Sequence, residues 1–233
     1  MYRFIETIKL EDGNFKLIDY HNKRLNKTIL HFFKKSPAID IGKFLPLADT
    51  EFKKGLFKCR IIYSDKIENI EITPYVKKNI KRLKIVRSNI DYSFKYENRN
   101  NIDDIIHNTI NNFLLEKESF KNKNRSNPEN VNNLKDVNKN ELANKLAIDI
   151  LIVKNGLITD TSYSNIILYD GKEWFAPKSF ILNGVKRQFL LNTGKIKEIK
   201  IALEDLKNFE KISLINAMLE PQDIEIGIEN IFE

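Results

Sequence analysis

At 233 residues, 42% hydrophobic and 30% charged, the chain has the composition of an ordinary globular protein and length enough to bury one large or two small cores. A formal net charge of +7 and a pI near 9.2 invite a nucleic-acid reading, but the lysines are scattered among Asn and Ile and no nucleic-acid-binding motif accompanies them, so nucleic acid is not an expected partner. No apolar run approaches the roughly 20 residues of a membrane span, and Met1-Tyr2-Arg3-Phe4 leads straight into a strand pattern with no secretory signal; the single cysteine, Cys59, excludes an internal disulfide framework and fits the cytoplasm.

Phe4 to Lys9 and Phe15 to Ile18 alternate around Asp12-Gly13-Asn14, which predicts an opening hairpin. Asp19 is placed to cap a helix whose apolar face carries Leu25, Ile29, Leu30 and Phe33, with His21 and Arg24 near its start. Arg24 reads either as a solvated helix residue or, near a helix N-terminus that already favours anions, as a phosphate ligand. Leu56 to Tyr63 and Ile67 to Ile72 predict a strand pair, and Ile80 to Val86 a further strand. Phe57, Cys59 and Ile61 share one face, which makes Cys59 core filler rather than a nucleophile, with Arg60 opposite.

Ser88 to Asp91 reads as the connection between two halves, and Asn101 to Glu116 as an amphipathic helix carrying His107 at its surface or boundary. Glu118 to Asn140 is Asn, Lys, Ser and Glu with almost nothing apolar, so a polar surface insertion is expected there. Three histidines and one cysteine at unrelated spacings predict no metal site.

Two hairpins follow. Ile150 to Val153 meets Leu157-Ile158 across Lys154-Asn155-Gly156, and Ile166 to Leu168 meets Trp174-Phe175 across Tyr169 to Lys172. Between them lies Asp160-Thr161-Ser162-Tyr163-Ser164-Asn165, a polar segment held by two ribbons, which is where a site is expected. Gly184 to Leu191 predicts a short helix closed by Gly194, and Lys211 to Asn216 a final strand.

Ile158-Thr159-Asp160 with Ser164-Asn165-Ile166 resembles the cofactor-binding signature of the class IV, branched-chain-type, pyridoxal-phosphate aminotransferases, which usually have Glu where this chain has Asp160. Phe180 to Arg187 resembles the family's phosphate-binding stretch, with Lys186 in place of its usual Thr. His21-Asn22-Lys23-Arg24-Leu25 is similar to its His-x-x-Arg-Leu element, and Asp91-Tyr92-Ser93-Phe94-Lys95 falls where its cofactor-bearing lysine is expected. Ser213 to Met218 resembles the closing segment of the lyase branch of the family, which includes aminodeoxychorismate lyase. The family's longer N-terminal lead is missing, and its tyrosine about a turn after the lysine has only Tyr96, Asn98 or Asn100 to stand for it.

The resemblance implies a two-domain α/β (α+β) fold, divided here as 1–87 and 88–233, that binds pyridoxal 5'-phosphate and works as a homodimer on a small amino-acid-like substrate. It implies Lys95 and Asp160 as catalytic groups. Lys95 would carry the cofactor, with the aromatic neighbours Tyr92, Phe94 and Tyr96 lowering its pKa by desolvation. Asp160 would keep the pyridine nitrogen protonated, although an Asp before Thr-Ser also suits a turn. Arg24, the backbone N–H groups around Asn165 and Ile166, and those of Val185 and Lys186 would hold the phosphate. The expected reaction is aminodeoxychorismate lyase-like, with an amino-acid transaminase and a catalytically inactive interaction protein on the same fold as alternatives.

Overall fold

The computed structural model describes residues 2–36, 38–46, 52–122 and 146–233. An antiparallel sheet opens the chain, in the order β2-β1-β3-β4, from β1 (Phe4–Glu11), β2 (Asn14–Phe15), β3 (Leu56–Tyr63) and β4 (Ile67–Pro74). Asp12 and Gly13 turn the first hairpin at φ 46° and 76°, the left-handed region that a two-residue turn needs. Alternation along β1 sends Phe4, Glu6 and Ile8 to the side covered by α1 (Ile18–Phe33), where Phe4 and Ile8 pack with Leu25, Ile29, Cys59 and Ile61. Cys59 is fully buried and burial pushes its thiol up to about 12, as befits core filler.

Two expectations for α1 are corrected. Asp19 does not cap it, because the chain enters two residues earlier through Leu17 in left-handed geometry (φ 57°), leaving Asp19 within the first turn. Leu30 is 53% exposed, since the side chains buried against β1 and β3 are His21, Leu25, Thr28 and Ile29. The second strand of the hairpin is also shorter than expected, because the helix takes over at Ile18.

Two further sheets face each other. One has the order β13-β5-β6-β7, from β13 (Ile231–Phe232), β5 (Arg82–Arg87), β6 (Ile148–Lys154) and β7 (Leu157–Thr161). The other runs β10-β9-β8-β11-β12, from β10 (Lys197–Ile199), β9 (Trp174–Pro177), β8 (Asn165–Tyr169), β11 (Lys211–Ile215) and β12 (Glu225–Gly227). Leu83, Leu151 and Ile158 of the first interleave with Ile166, Leu168 and Leu214 of the second. α2 (Asn100–Asn122) covers the first sheet through Ile102, Ile106 and Ile110 against Ile150 and Ile152. α3 (Val185–Asn192) covers the second through Leu190 against Ile167, Ala176 and Ile215. Strands β6 and β8 are therefore buried on both faces, which explains their unbroken apolar runs.

Both predicted hairpins form, β6 with β7 and β8 with β9, and Asn155 and Gly156 both take positive φ. β11 is not the last strand, because β12 and β13 follow it to close the edges of both sheets. β5 runs parallel to β6, so the chain changes sheet between β4 and β5, ahead of the expected division between 87 and 88. α2 extends to Asn122, past the expected end at Glu116 and into the start of the polar stretch. Residues 123–140 of that stretch lie outside the described residues.

Candidate active site

The connection that opens at Ser88 runs on as far as Arg99, so Lys95 sits in a loop between β5 and α2. That loop is stitched to the edge of the first sheet: Ile5 N–H donates to the Lys95 carbonyl at 2.9 Å and Glu97 N–H to the Arg3 carbonyl at 2.9 Å. Tyr92 Oη donates to the Tyr96 carbonyl at 2.6 Å, closing the loop on itself. Phe94 and Tyr96 turn away from Lys95 into the core beneath α1, and Tyr92 alone of the three expected aromatic neighbours lines the cleft with the amine.

A cleft of about 640 Å³, counting the space open to solvent at its mouth, lies beside the lysine. Its walls come from the Lys95 loop, Arg24 of α1, the 160–165 turn, the segment leading into α3, and Asn216-Ala217 after β11. Burial pushes the Lys95 ammonium down to about 7, with the neighbouring Arg24 charge as the next cause and Arg99 and Arg60 adding to it. The amine is thus poised to be neutral near physiological pH, as a nucleophilic lysine requires.

Asp160, at the end of β7, is a fastener as well as an acid. Its Oδ2 accepts from Ile181 N–H and Leu182 N–H, both at 2.9 Å, and its Oδ1 accepts from Asn165 Nδ2 at 2.8 Å. The carboxylate ties two loops together rather than making the local turn that Asp before Thr-Ser suggests. Burial raises its pKa to about 6, opposed by those hydrogen bonds and by Arg187. Oδ1 carries one donor where Oδ2 carries two, so Oδ1 is the atom with capacity for a protonated ring nitrogen. Asn165 spends its Nδ2 on Asp160 and on the Leu182 carbonyl, 2.8 Å each, and so positions the acid. A Cβ on Gly184 would collide with Asn165 Oδ1, so glycine is required there for close approach, at an ordinary φ of −68°.

Arg24 reaches the cleft from α1 held by a partner that sequence reasoning missed. Glu6 accepts from Arg24 Nε at 2.8 Å and from Arg24 Nη2, and its Oε2 lies 2.6 Å from His21 Nδ1. Against the cost of its own burial, the Arg24 guanidinium and His21 hold the Glu6 carboxyl at about 2, and burial pushes the His21 imidazole below its usual value. With Nε and Nη2 committed, Nη1 is the nitrogen left to a ligand. α1 packs on α3 through Tyr20 against Phe189, edge to face at 6.0 Å, so Arg24 and the N-terminus of α3 share the cleft.

Gly184 and Val185 line the cleft at that N-terminus, where first-turn N–H groups have no intrahelical partner. Two neighbouring side chains lie away from it. Lys186 is neither a cleft cation nor solvated, because its buried Nζ is paired with Glu220 at 2.6 Å. Ile166 is fully buried in the inter-sheet core, in register with Leu214, and does not line the cleft. Ser162 and Tyr163 line it as part of the polar segment where a site was expected, whereas Arg99, one of 39 basic residues, lines it with no signal in the sequence.

The donor set fits pyridoxal phosphate: a desolvated lysine, a buried carboxylate with a free acceptor position, and an arginine across from a helix N-terminus. Comparison with known proteins agrees. The Amino-transferase class IV family profile matches residues 3–225. An uncharacterised protein of Haemophilus influenzae is 30% identical over 222 residues, 94% of this chain and 98% of that one. A crystal structure from Haemophilus somnus, provisionally named as a 4-amino-4-deoxychorismate lyase, is 29% identical with a TM-score of 0.71, covering 94% of this chain and 97% of the other. A hypothetical aminotransferase from Mycobacterium tuberculosis in its PLP-bound form shares the fold at 13% identity and a TM-score of 0.66, covering 99% of this chain and 81% of that one. With its profile matched almost end to end and its cleft furnished in this way, the chain belongs to the class IV aminotransferase family of pyridoxal-phosphate-dependent enzymes.

Proposed function

We propose that the protein is an aminodeoxychorismate lyase-like enzyme that converts 4-amino-4-deoxychorismate to 4-aminobenzoate and pyruvate. The observation that carries the chemistry is the meeting, in one cleft, of Lys95 at about 7 and Asp160 at about 6 beside Arg24. The likeness to the Haemophilus somnus protein over nearly the whole of both chains supports the lyase in particular.

Bound pyridoxal phosphate supplies an electron sink for the carbon bearing the substrate's amino group. Lys95 Nζ would hold the cofactor until the substrate's amine displaces it; the freed neutral amine would then take the proton from that carbon and return one to the methylene carbon of the enolpyruvyl group as its C–O bond to the ring breaks, so that pyruvate leaves. Asp160 Oδ1 would accept from the ring nitrogen and keep it protonated. Arg24 Nη1 and the N–H groups at Val185 and Lys186 would hold the phosphate. Asn216 Nδ2 donates to Ser164 Oγ at 2.8 Å, fixing the segment that closes the cleft over the 160–165 turn. The same reading makes the protein a cytoplasmic homodimer, and among the described residues no helix is long and apolar enough to cross a membrane.

An amino-acid transaminase is the second reading, since the same groups serve it and the family bears that name. The two differ in what they leave behind. Mixing the yellow protein with 4-amino-4-deoxychorismate is expected to yield 4-aminobenzoate and pyruvate with the visible band unchanged. If common amino acids bleach that band and a keto acid restores it, the protein is a transaminase.

A further inference from the structure

Arg24, Lys95 and Arg99 line the cleft, and their charges are not equally matched. Arg24 is bound by Glu6 through two nitrogens, and Lys95 is pushed toward the neutral amine. Arg99 is different. Its Nη2 donates to a neutral group, the Ser162 carbonyl at 2.8 Å, and its nearest carboxylate is Asp103 at 3.7 Å, on a side chain 38% exposed. Its Nε is buried with no partner among the described residues. The Arg99 side chain is 30% exposed, but a guanidinium that keeps a buried, unused donor and lines a cavity has capacity for an anion there.

The cavity also says which anion. If Arg24 and the start of α3 take the cofactor's phosphate, that group is satisfied at that end, and the cofactor's ring oxygen is a single acceptor that leaves a bidentate fork half used. Arg99 stands on the Lys95 loop, four residues on, with its hydrogen bond reaching the 160–165 turn. It is near enough to Lys95 to disfavour a charge there. A planar fork so placed matches the planar, bidentate carboxylate of a substrate whose amino group is presented to Lys95. We propose that Arg99 anchors a carboxylate of the substrate and so restricts the enzyme to amino acids and amino-acid-like acids over simple amines. This rests on the cofactor placement argued above.

The test is a binding titration, which needs no turnover. Cofactor-loaded protein is titrated calorimetrically with two matched pairs, 4-aminobenzoate against 4-aminobenzamide and pyruvate against pyruvamide. The wild type is expected to prefer the carboxylate in at least one pair, by roughly tenfold or more. Arg99→Gln, which keeps an N–H for the Ser162 carbonyl, is expected to weaken the carboxylate by roughly 10- to 100-fold while leaving the amide unchanged. Arg99→Lys should recover part of the loss. A wild type that discriminates in neither pair, or an Arg99→Gln protein that discriminates as well as the wild type, overturns the proposal. So does a variant whose visible band shifts at rest while carboxylate binding is intact, since Arg99 would then serve the cofactor. Failure of the lyase reading is separable: a protein that discriminates through Arg99 yet releases no 4-aminobenzoate retains the anchor and loses the reaction.

Discussion

The two walls of the cleft are built on opposite principles. Around Asp160 the groups that place the acid are bonded to one another: its oxygens take three donors, Asn165 serves two acceptors, and Thr161 and Ser164 close their turn through their own backbone. Around Lys95 the backbone is fixed to β1, but Arg99 Nε has no partner among the described residues and the Lys95 amine is desolvated. A fully bonded network holds a geometry and resists change, whereas under-bonded buried charges stay sensitive to a ligand that can satisfy them. On the function proposed above, the acid stands on the stiff wall and the nucleophile on the responsive one.

The sharpest break of that contrast is at the nucleophile. Lys95→Ala is expected to lower turnover by roughly 10²- to 10⁴-fold, the usual range for a positioned proton-transfer group, and to abolish cofactor fixation by borohydride. In the wild-type apo protein, labelling of Lys95 by an amine-selective reagent should rise with pH through about 7, because the neutral amine is the reactive form. A labelling midpoint near the ordinary lysine value of 10.5 would remove the responsive wall from the comparison.

Glu6→Gln tests whether Arg24 is held as firmly as Asp160. A carboxyl that falls from 4.5 to about 2 on folding contributes on the order of 3 kcal/mol, because the native state favours its charged form. That stability is in full force above 4.5 and is lost as pH falls through the window from 4.5 to 2. Glu6→Gln is therefore expected to unfold about 3 kcal/mol more easily at neutral pH and to show a flatter acid limb in that window. Urea titrations of both proteins at pH 7 and pH 3 measure this. An acid limb unchanged in the variant would mean that other carboxyls set acid sensitivity.

Legibility in the amino-acid sequence divides along the same line. The stiff wall is local: Asp160 and Asn165 lie between two hairpins announced by Asn155-Gly156 and Gly171, and period-two alternation finds strands well. The responsive wall is assembled from afar. Glu6 meets Arg24 eighteen positions away, and its role is hidden because a single Glu in an alternating strand reads as one more solvent-facing residue. Arg99 belongs to the cleft only because the loop is pinned to β1. Leu30 failed as a core residue for a related reason, since helical spacing gives a face but not its width. At Lys186 the sequence shows the charge but not Glu220, thirty-four positions on, that takes it.

Gly184→Ala probes the stiff wall with a smaller effect. The added methyl would strike Asn165 Oδ1, which cannot retreat without releasing Asp160 or the Leu182 carbonyl. The expected loss is about 1–3 kcal/mol of stability, as for other overpacked sites, with weakened cofactor retention. Equilibrium unfolding and cofactor release on dialysis measure the two together. Loss of stability with retention unchanged would show that Asn165 does not position the acid.

The smallest effect is expected at Lys186, and it separates charge from backbone in phosphate binding. If α3 contributes through its free N–H groups, the side chain at this position is irrelevant to the cofactor, and its Nζ serves only to join α3 to Glu220. Lys186→Met keeps the buried aliphatic stem and removes the charge, while Glu220 retains Lys9 at 3.6 Å. Because Glu220 is 44% exposed, solvent screens the pair, and the variant should lose under about 1 kcal/mol of stability. Cofactor affinity, read from the visible band in a phosphate-competition titration, should stay within about twofold of the wild type, since the N–H groups are untouched. A tenfold fall in affinity would mean that Nζ leaves Glu220 for the phosphate, and that this edge of the stiff wall is itself responsive.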